Sequence, residues 1–238
     1  MFGDERRPQQ LQKAETVHRR ALALAYLVCR SMIDADPDPE ARKMSEMILF
    51  FVNGVGLTPD LLPDELSMVQ APYGTLSLPH CVSTSWLSEG MVALAWALGL
   101  AELPSPHAKC DPGPASLALG MFQPGTRERL AQAVLRNPVE IEMKFATYFA
   151  FNGRIARFVL NPEETMDFVS QLKDPGSPHL LVDELEFVDG DLAIDGMPLA
   201  KVPHNRAGEV AFIVRERFNA LKWLQGYSEQ YSIDNAVR

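Results

Sequence analysis

The chain has 238 residues, of which 47 % are apolar and 22 % charged. That is a globular composition, long enough to bury about 70 % of the unfolded surface, so disorder is excluded and no disulfide or metal scaffold is needed. The 22 Lys and Arg face 31 Asp and Glu, a formal charge of −9 that repels phosphate and argues against a nucleic-acid partner. The best basic group, Arg127, Arg129 and Arg136, reads as solvated surface, because Arg127 and Arg129 do not share a helix face.

Met1–Arg7 carries acids and no apolar run, so no signal peptide is expected. The first long helix is expected over Leu11–Ile33. Val17, Ala21, Leu24 and Val28 recur at helical spacing, and Ala21–Cys29 is apolar throughout, which places it centrally in a core. Asp38-Pro39-Glu40 is a helix start, and that helix runs to about Asn53 before Gly54 and Gly56. A short helix follows over Thr58–Ala71, then a long one over Pro79–Leu100 in which Glu89 is the one ionisable group from Trp86 to Ala101. The longest uncharged apolar stretch, Gly90–Ala101, falls short of the ~18–20 residues that span a bilayer. Leu103–Pro124 carries Pro104, Pro106, Pro112, Pro114 and Pro124 and is expected to hold no regular helix.

Helices resume at Thr126–Arg136. Asn137-Pro138-Val139-Glu140 and Asn161-Pro162-Glu163-Glu164 are similar start signals for helices over Pro138–Leu160 and Pro162–Lys173. The period then changes to alternation over Leu181–Val188, Asp191–Ile194 and Met197–Val202. Asp189-Gly190 and Asp195-Gly196 separate these strands as hairpin turns. The last helix covers Ala207–Tyr227. The expectation is one mainly α globular domain over 1–238, bundle-like, with a three-stranded antiparallel meander at about 181–202 and a subdomain seam at 103–125.

Val210, Ile213, Val214, Leu221 and Leu224 form the apolar stripe of the last helix, and Arg217 falls on it. Glu89 is the matching oddity, on one face with Trp86, Ala93, Trp96 and Leu100. A charge on a core face is expensive unless paired, so the two are expected to meet, either as a buried pair fixing register or as the lining of a pocket. Arg19 and Arg20 are alternative partners for Glu89. Trp86, Trp96 and Trp223 are expected in the core, with a ligand pocket among them as the other reading.

Trp86-x-x-Glu89, Leu94-Ala95-Trp96-Ala97-Leu98-Gly99, Leu103-Pro104 and Cys110-Asp111 together resemble the bacterial domain-of-unknown-function family numbered 4272. Glu216-Arg217-Phe218-Asn219-Ala220-Leu221-Lys222-Trp223-Leu224 resembles that family's closing helix, which extends the likeness over about Arg19–Tyr227. Gly90 stands where the family's pattern has Ala, and the tail after Tyr227 lacks the usual Trp- and Asp-rich ending. The resemblance implies an intact, mainly helical domain and carries no activity.

Cys29, Cys81 and Cys110 are an odd, scattered set, which argues against disulfides and zinc knuckles and for a reduced, cytoplasmic protein. His80 and Cys81 point about 100° apart on a helix and form no dyad. His107, Cys110 and Asp111 are too few for a zinc site, and His18, His179 and His204 have no metal-binding spacing, with His18 expected on a solvated face. No phosphate-binding glycine loop or nucleophile elbow occurs, so no cofactor is expected. Asp183, Glu184, Glu186, Asp189, Asp191 and Asp195 crowd the strand region without a basic residue among them. Asp189 and Asp195 serve turns, and Asp183, Glu184 and Glu186 are a candidate docking surface for a basic protein partner. Two functions are expected to compete: a non-catalytic interaction module, adaptor or immunity-type, using that acidic surface, and an enzyme or small-molecule binder with Glu89 as acid or base and Arg217 as anion anchor.

Overall fold

The computed structural model describes residues 10–34, 36–162, 166–172 and 184–231. Within them the chain is mainly α, with a small antiparallel sheet before the last helix. α1 (Ala14–Ile33) is followed by α2 (Pro39–Gly54), which starts as expected on Asp38: its carboxylate accepts the Glu40 amide at 2.9 Å, with Pro39 in the first turn. The helix expected over Thr58–Ala71 is two pieces, a 3-10 turn at Thr58–Asp60 and α3 (Pro63–Gln70), because Pro63 has no amide hydrogen with which to continue a helix. The helix expected over Pro79–Leu100 also divides, into α4 (Leu78–Ser85) and α5 (Leu87–Ala97). At the joint the Ser85 hydroxyl donates to the Val82 carbonyl at 2.7 Å, and the Glu89 amide bonds Trp86 three residues back at 3.1 Å. Hydroxyl competition and a tightened turn interrupt the ladder there.

α6 (Pro112–Ala118) overturns the expectation of no helix in the proline-rich stretch. Pro112 takes the first position, where an amide hydrogen has no helical partner, and Asp111 caps by accepting the Gly113 amide at 3.0 Å. α7 (Thr126–Ala131) stops short of Arg136. α8 (Pro138–Leu160) has the expected bounds, with the Asn137 side chain accepting the Val139 amide at 2.9 Å. Asn161, expected to cap the following helix, closes α8 instead. The described part of that next helix is α9 (Phe168–Leu172); Glu163, Glu164 and Lys173 lie outside the described residues.

β1 (Phe187–Val188), β2 (Asp191–Ile194) and β3 (Met197–Pro198) form the meander, with Phe187 opposite Leu192 and Ala193 opposite Pro198. Asp189 and Asp195 have φ of 55° and 54°, followed by Gly190 and Gly196 at 81° and 74°. Two successive left-handed residues are the type I′ turn that Asp-Gly predicts. The strands are shorter than expected: Leu181–Asp183 lies outside the described residues, and Leu199–Lys201 forms a 3-10 turn. α10 (His204–Leu224) begins and ends earlier than expected. It closes on Gly226, φ 77°, whose amide donates to Trp223 while the Tyr227 amide donates to Lys222, the paired bonds of a glycine-terminated helix.

α1 and α5 make the centre. Every residue of α5 is buried, as is α1 from Arg20 to Val28. Helices without a polar face must be covered all round. α2, α3 and α4 cover α1, and α1, α6 and α10 cover α5. α10 is held between α5 and α8, so its two faces join the centre to the outer helix.

Two glycines separate backbone from packing. A Cβ at Gly153, inside α8, or at Gly196 would meet nothing within 4 Å. Gly153→Ala is therefore expected to stabilise by about 0.5–1 kcal/mol. Gly196→Ala is expected to destabilise by about 1–2 kcal/mol, because alanine is strained at positive φ. Urea unfolding of the two variants reads both signs.

Candidate functional site

α5 and α10 bring Glu89 and Arg217 together across 128 residues of sequence. Both side chains are 0 % exposed. Arg217 donates to Glu89 Oε2 from Nε at 2.9 Å and from Nη2 at 2.7 Å. Nη2 also donates to the Ala108 carbonyl at 2.7 Å. Nη1 donates to the Tyr148 hydroxyl at 3.0 Å and the Ser105 carbonyl at 3.1 Å, with the Pro104 carbonyl at 3.3 Å. The five N–H groups of the guanidinium are thus all used. The other carboxylate oxygen, Glu89 Oε1, accepts the Cys110 amide at 2.9 Å. Burial opposes the charge on Arg217, but Tyr148 and Glu89 outweigh it and hold the guanidinium protonated.

The pair therefore holds more than helix register. A loop without regular structure can turn backbone groups inward only where they find partners. Here the carbonyls of Pro104, Ser105 and Ala108 and the amide of Cys110 find them on the pair. Arg19 and Arg20 are used elsewhere: Arg19 pairs with Asp60 at 2.5 Å, and Arg20 grips Glu65 through two bonds of 2.8 and 2.5 Å.

Glu216, next to Arg217, is a second buried carboxyl that the charge-on-stripe reading did not single out. Oε2 accepts the Tyr231 hydroxyl at 3.1 Å; Oε1 lies 3.5 Å from Arg215 Nε and receives no hydrogen bond. Burial pushes the Glu216 carboxyl up. Burial, and then Glu216, push the Tyr231 phenol well up. The signal was present in the sequence, since Glu216 is in helical register with Ile213, Ala220 and Trp223, all buried. Gly90 has its reason here too: a Cβ there would stand 1.8 Å from the Tyr231 hydroxyl.

The other expected site residues are scattered. Trp86 is half-buried, stacked on Phe212 at 5.3 Å with Lys109 Nζ 4.9 Å from its ring. Trp96 is buried, with Arg136 and Lys144 against its ring at 5.3 and 5.0 Å, and Trp223 is buried in α10. Burial raises all three thiols, Cys29 to about 11 and Cys110, with Glu89 adding to it, to about 12. His107 faces Asp195 and Glu186 at 3.5 and 3.9 Å, and no group of three or more metal-ligating side chains occurs among the described residues. His18, expected on a solvated face, is buried with Nε2 2.9 Å from the Leu119 carbonyl, because α7 and the end of α6 cover that side of α1. His179 lies outside the described residues, and His204 stacks on Phe158.

The acidic segment is not bare of cations, as its sequence implied; the helices supply them. Lys144 holds Glu184 at 2.5 Å, Arg154 holds Asp191 through bonds of 2.8 and 2.5 Å, and Arg206 holds Asp195 at 2.8 Å. Glu186 is exposed and accepts the Gly196 amide at 3.3 Å. Asp183 lies outside the described residues.

A family model described as "Domain of unknown function (DUF4272)" matches residues 3–158. The matched part contains the Trp86–Asp111 block and the arginine-bearing first helix. It ends before α10, so the likeness expected as far as Tyr227 is found only through residue 158. No curated protein and no solved structure matches the chain.

Arg217→Met is expected to lower stability by roughly 3–5 kcal/mol by leaving Glu89 buried without its cation. Amide exchange should rise over residues 104–110, whose carbonyls lose their donor; unchanged exchange there would contradict the anchoring role. Glu216 tests linkage. Its folded-state pKa lies above the unfolded one, so the native state holds the extra proton between the two values and stability falls as pH rises through that window. Glu216→Gln removes the titration. Its stability relative to the parent should improve as pH rises above the ordinary carboxylate range, about pH 4, in urea unfolding, and parallel curves would count against the assignment.

Proposed function

We propose that the chain, which belongs to the DUF4272 family, is a non-catalytic protein-interaction module of the cytoplasm, an adaptor or immunity-type neutralising protein, that meets a basic partner with its acidic meander. The observation that carries this reading is the way the meander is mounted. Lys144, Arg154 and Arg206 clamp Glu184, Asp191 and Asp195 to α8 and α10, while Glu186, Asp189 and Asp195 stay exposed along the meander and its turns. A surface already ordered by its own scaffold loses little entropy on binding. The net charge of −9 adds attraction at long range.

The competing reading, a pocket around Glu89 and Arg217, has less support. Both groups are fully buried and the donors of Arg217 are taken by the chain itself, which favours a structural role for the pair. No helix among the described residues is long and apolar enough to cross a membrane.

The test is co-purification of the tagged protein at native expression, with Glu186→Lys combined with Asp189→Asn as the comparison. Asparagine keeps the positive φ of position 189 accessible while removing its charge. A stoichiometric basic partner is expected with the parent chain and is lost with the variant or at raised salt. A partner retained equally by the variant, or a parent chain that elutes alone, refutes the reading.

A further inference from the structure

The outward face of α8 has the composition of an inward one. A surface helix turns its polar residues toward water. On α8, Val139, Phe149 and Leu160 are 59 %, 54 % and 85 % exposed, and Gly153 and Ala156 are exposed with them. Phe149, Gly153, Ala156 and Leu160 follow one another at steps of four, three and four residues, the spacing of a seam between two helices. α10 widens the patch. Phe145 stacks on Tyr227 at 5.3 Å and on Phe218 at 5.7 Å, and Phe149 lies 6.0 Å from Phe218. Phe145 and Phe218 are half-buried and Tyr227 is exposed. Gly153, in the middle of the face, weakens the helix without relieving any contact in its own chain, because a Cβ there meets nothing within 4 Å. Lys144 and Arg154, which hold the meander, belong to the buried side of α8.

The face is complementary to itself. About a point between Phe149 and Ala150, Val139 and Leu160 stand ten positions to either side, and Glu142 and Arg157, both exposed, stand seven. We propose that a second copy of this chain covers this face, as an antiparallel dimer of α8 on α8 about a two-fold axis at that point. Each Val139 then meets Leu160 of the second copy, and each Glu142 meets Arg157 of the second copy, an opposite-charge pair made twice. Arg157 also interacts within its own chain, and a guanidinium with five donors serves more than one carboxylate. Phe149 leans toward the N-terminal turn of its helix, which carries its ring toward Gly153 of the second copy, where no side chain stands in the way. From Val139 to Leu160 the face is about 30 Å long and, with the rings of α10, about two helices wide. Pairing therefore covers roughly 600 Å² of each copy, the lower end for a stable complex. An unrelated partner requires none of this symmetry between the two halves of the helix. The contact is separate from the acidic meander, and its fate is independent of the interaction proposed there.

Sedimentation velocity of the full chain from about 1 μM to about 100 μM tests this, because a contact of this area is expected to associate in that range. The sedimentation coefficient should rise with concentration to that of a dimer. Gly153→Gln keeps the fold, since the space above position 153 is open, and should raise the Kd of the dimer at least about tenfold by filling the place of the Phe149 ring. Glu142→Arg should weaken the dimer similarly, by setting two cations against each other at both ends. Adding Arg157→Glu reverses both pairs and should restore the parent's Kd, a rescue that only the antiparallel two-fold contact predicts. Where Arg157→Glu disturbs the fold, cysteine crosslinking reads the register independently. Ala150→Cys lies beside the axis and should give a disulfide-linked dimer on mild oxidation, while Leu160→Cys, about 30 Å from its own counterpart, should not. A parent chain that stays monomeric over the whole range refutes the proposal and leaves the face to a different partner. A dimer indifferent to Gly153→Gln, a folded double variant without rescue, or equal crosslinking at 150 and 160 refutes it as well.

Discussion

A buried guanidinium donor left unbonded costs free energy, and Arg217 avoids that cost at every donor by gathering chain from several parts of the molecule. Its partners are a carboxylate on α5, a phenol on α8 and three carbonyls of the proline-rich loop. The desolvation of two charges is offset only by a complete set of bonds. The same requirement that makes the pair expensive therefore fixes where α10 lies on α5 and how residues 104–110 cross between them.

The same device recurs around the bundle. Arg19 ties α1 to Asp60 and to the Gly56 carbonyl, and Arg20 ties it to Glu65 at the start of α3. Arg30 pairs with Asp34 and donates to the carbonyls of Ala71 and Pro72, while Asp34 accepts the amides of Gly74 and Leu76. Arg136 takes the Trp96 carbonyl, and Arg206 the His107 carbonyl. Apolar faces pack the helices, but a loop offers backbone dipoles rather than apolar surface. A long, planar, five-donor side chain reaching from a helix is suited to hold it.

This economy bears on function. Glu184, Asp191 and Asp195 of the strand region are held by cations of α8 and α10, which makes the meander a rigid mount rather than a diffuse acidic face. Incomplete bonding is spread through the interior instead: His18 Nδ1, Arg20 Nε, Arg30 Nε, Arg154 Nη1 and Glu216 Oε1 are buried without a hydrogen bond among the described residues.

Local chemistry was legible in the sequence. Asp38, Asn137 and the two Asp-Gly pairs announced their caps and turns, because a cap or a type I′ turn depends on a few neighbouring residues. Glu89 and Arg217 were recognisable as charges on core stripes, since periodicity alone reveals a misplaced charge. What the sequence left open was which partners a buried or charged group would find: Arg217 rather than Arg20 for Glu89, Lys144 for Glu184, the proline-loop carbonyls for Arg217. The split at Trp86 and the helix begun by Pro112 also escaped it, because hydroxyl competition and capping there outweighed the apolar period and the proline count. Tyr231 lies beyond the last periodic segment, and only the folded chain carries it to Gly90. The sequence by itself determined the elements and the oddities among them, because these depend on neighbours along the chain. The tertiary structure alone decided who meets whom, because satisfying a buried charge draws on groups a hundred or more residues apart.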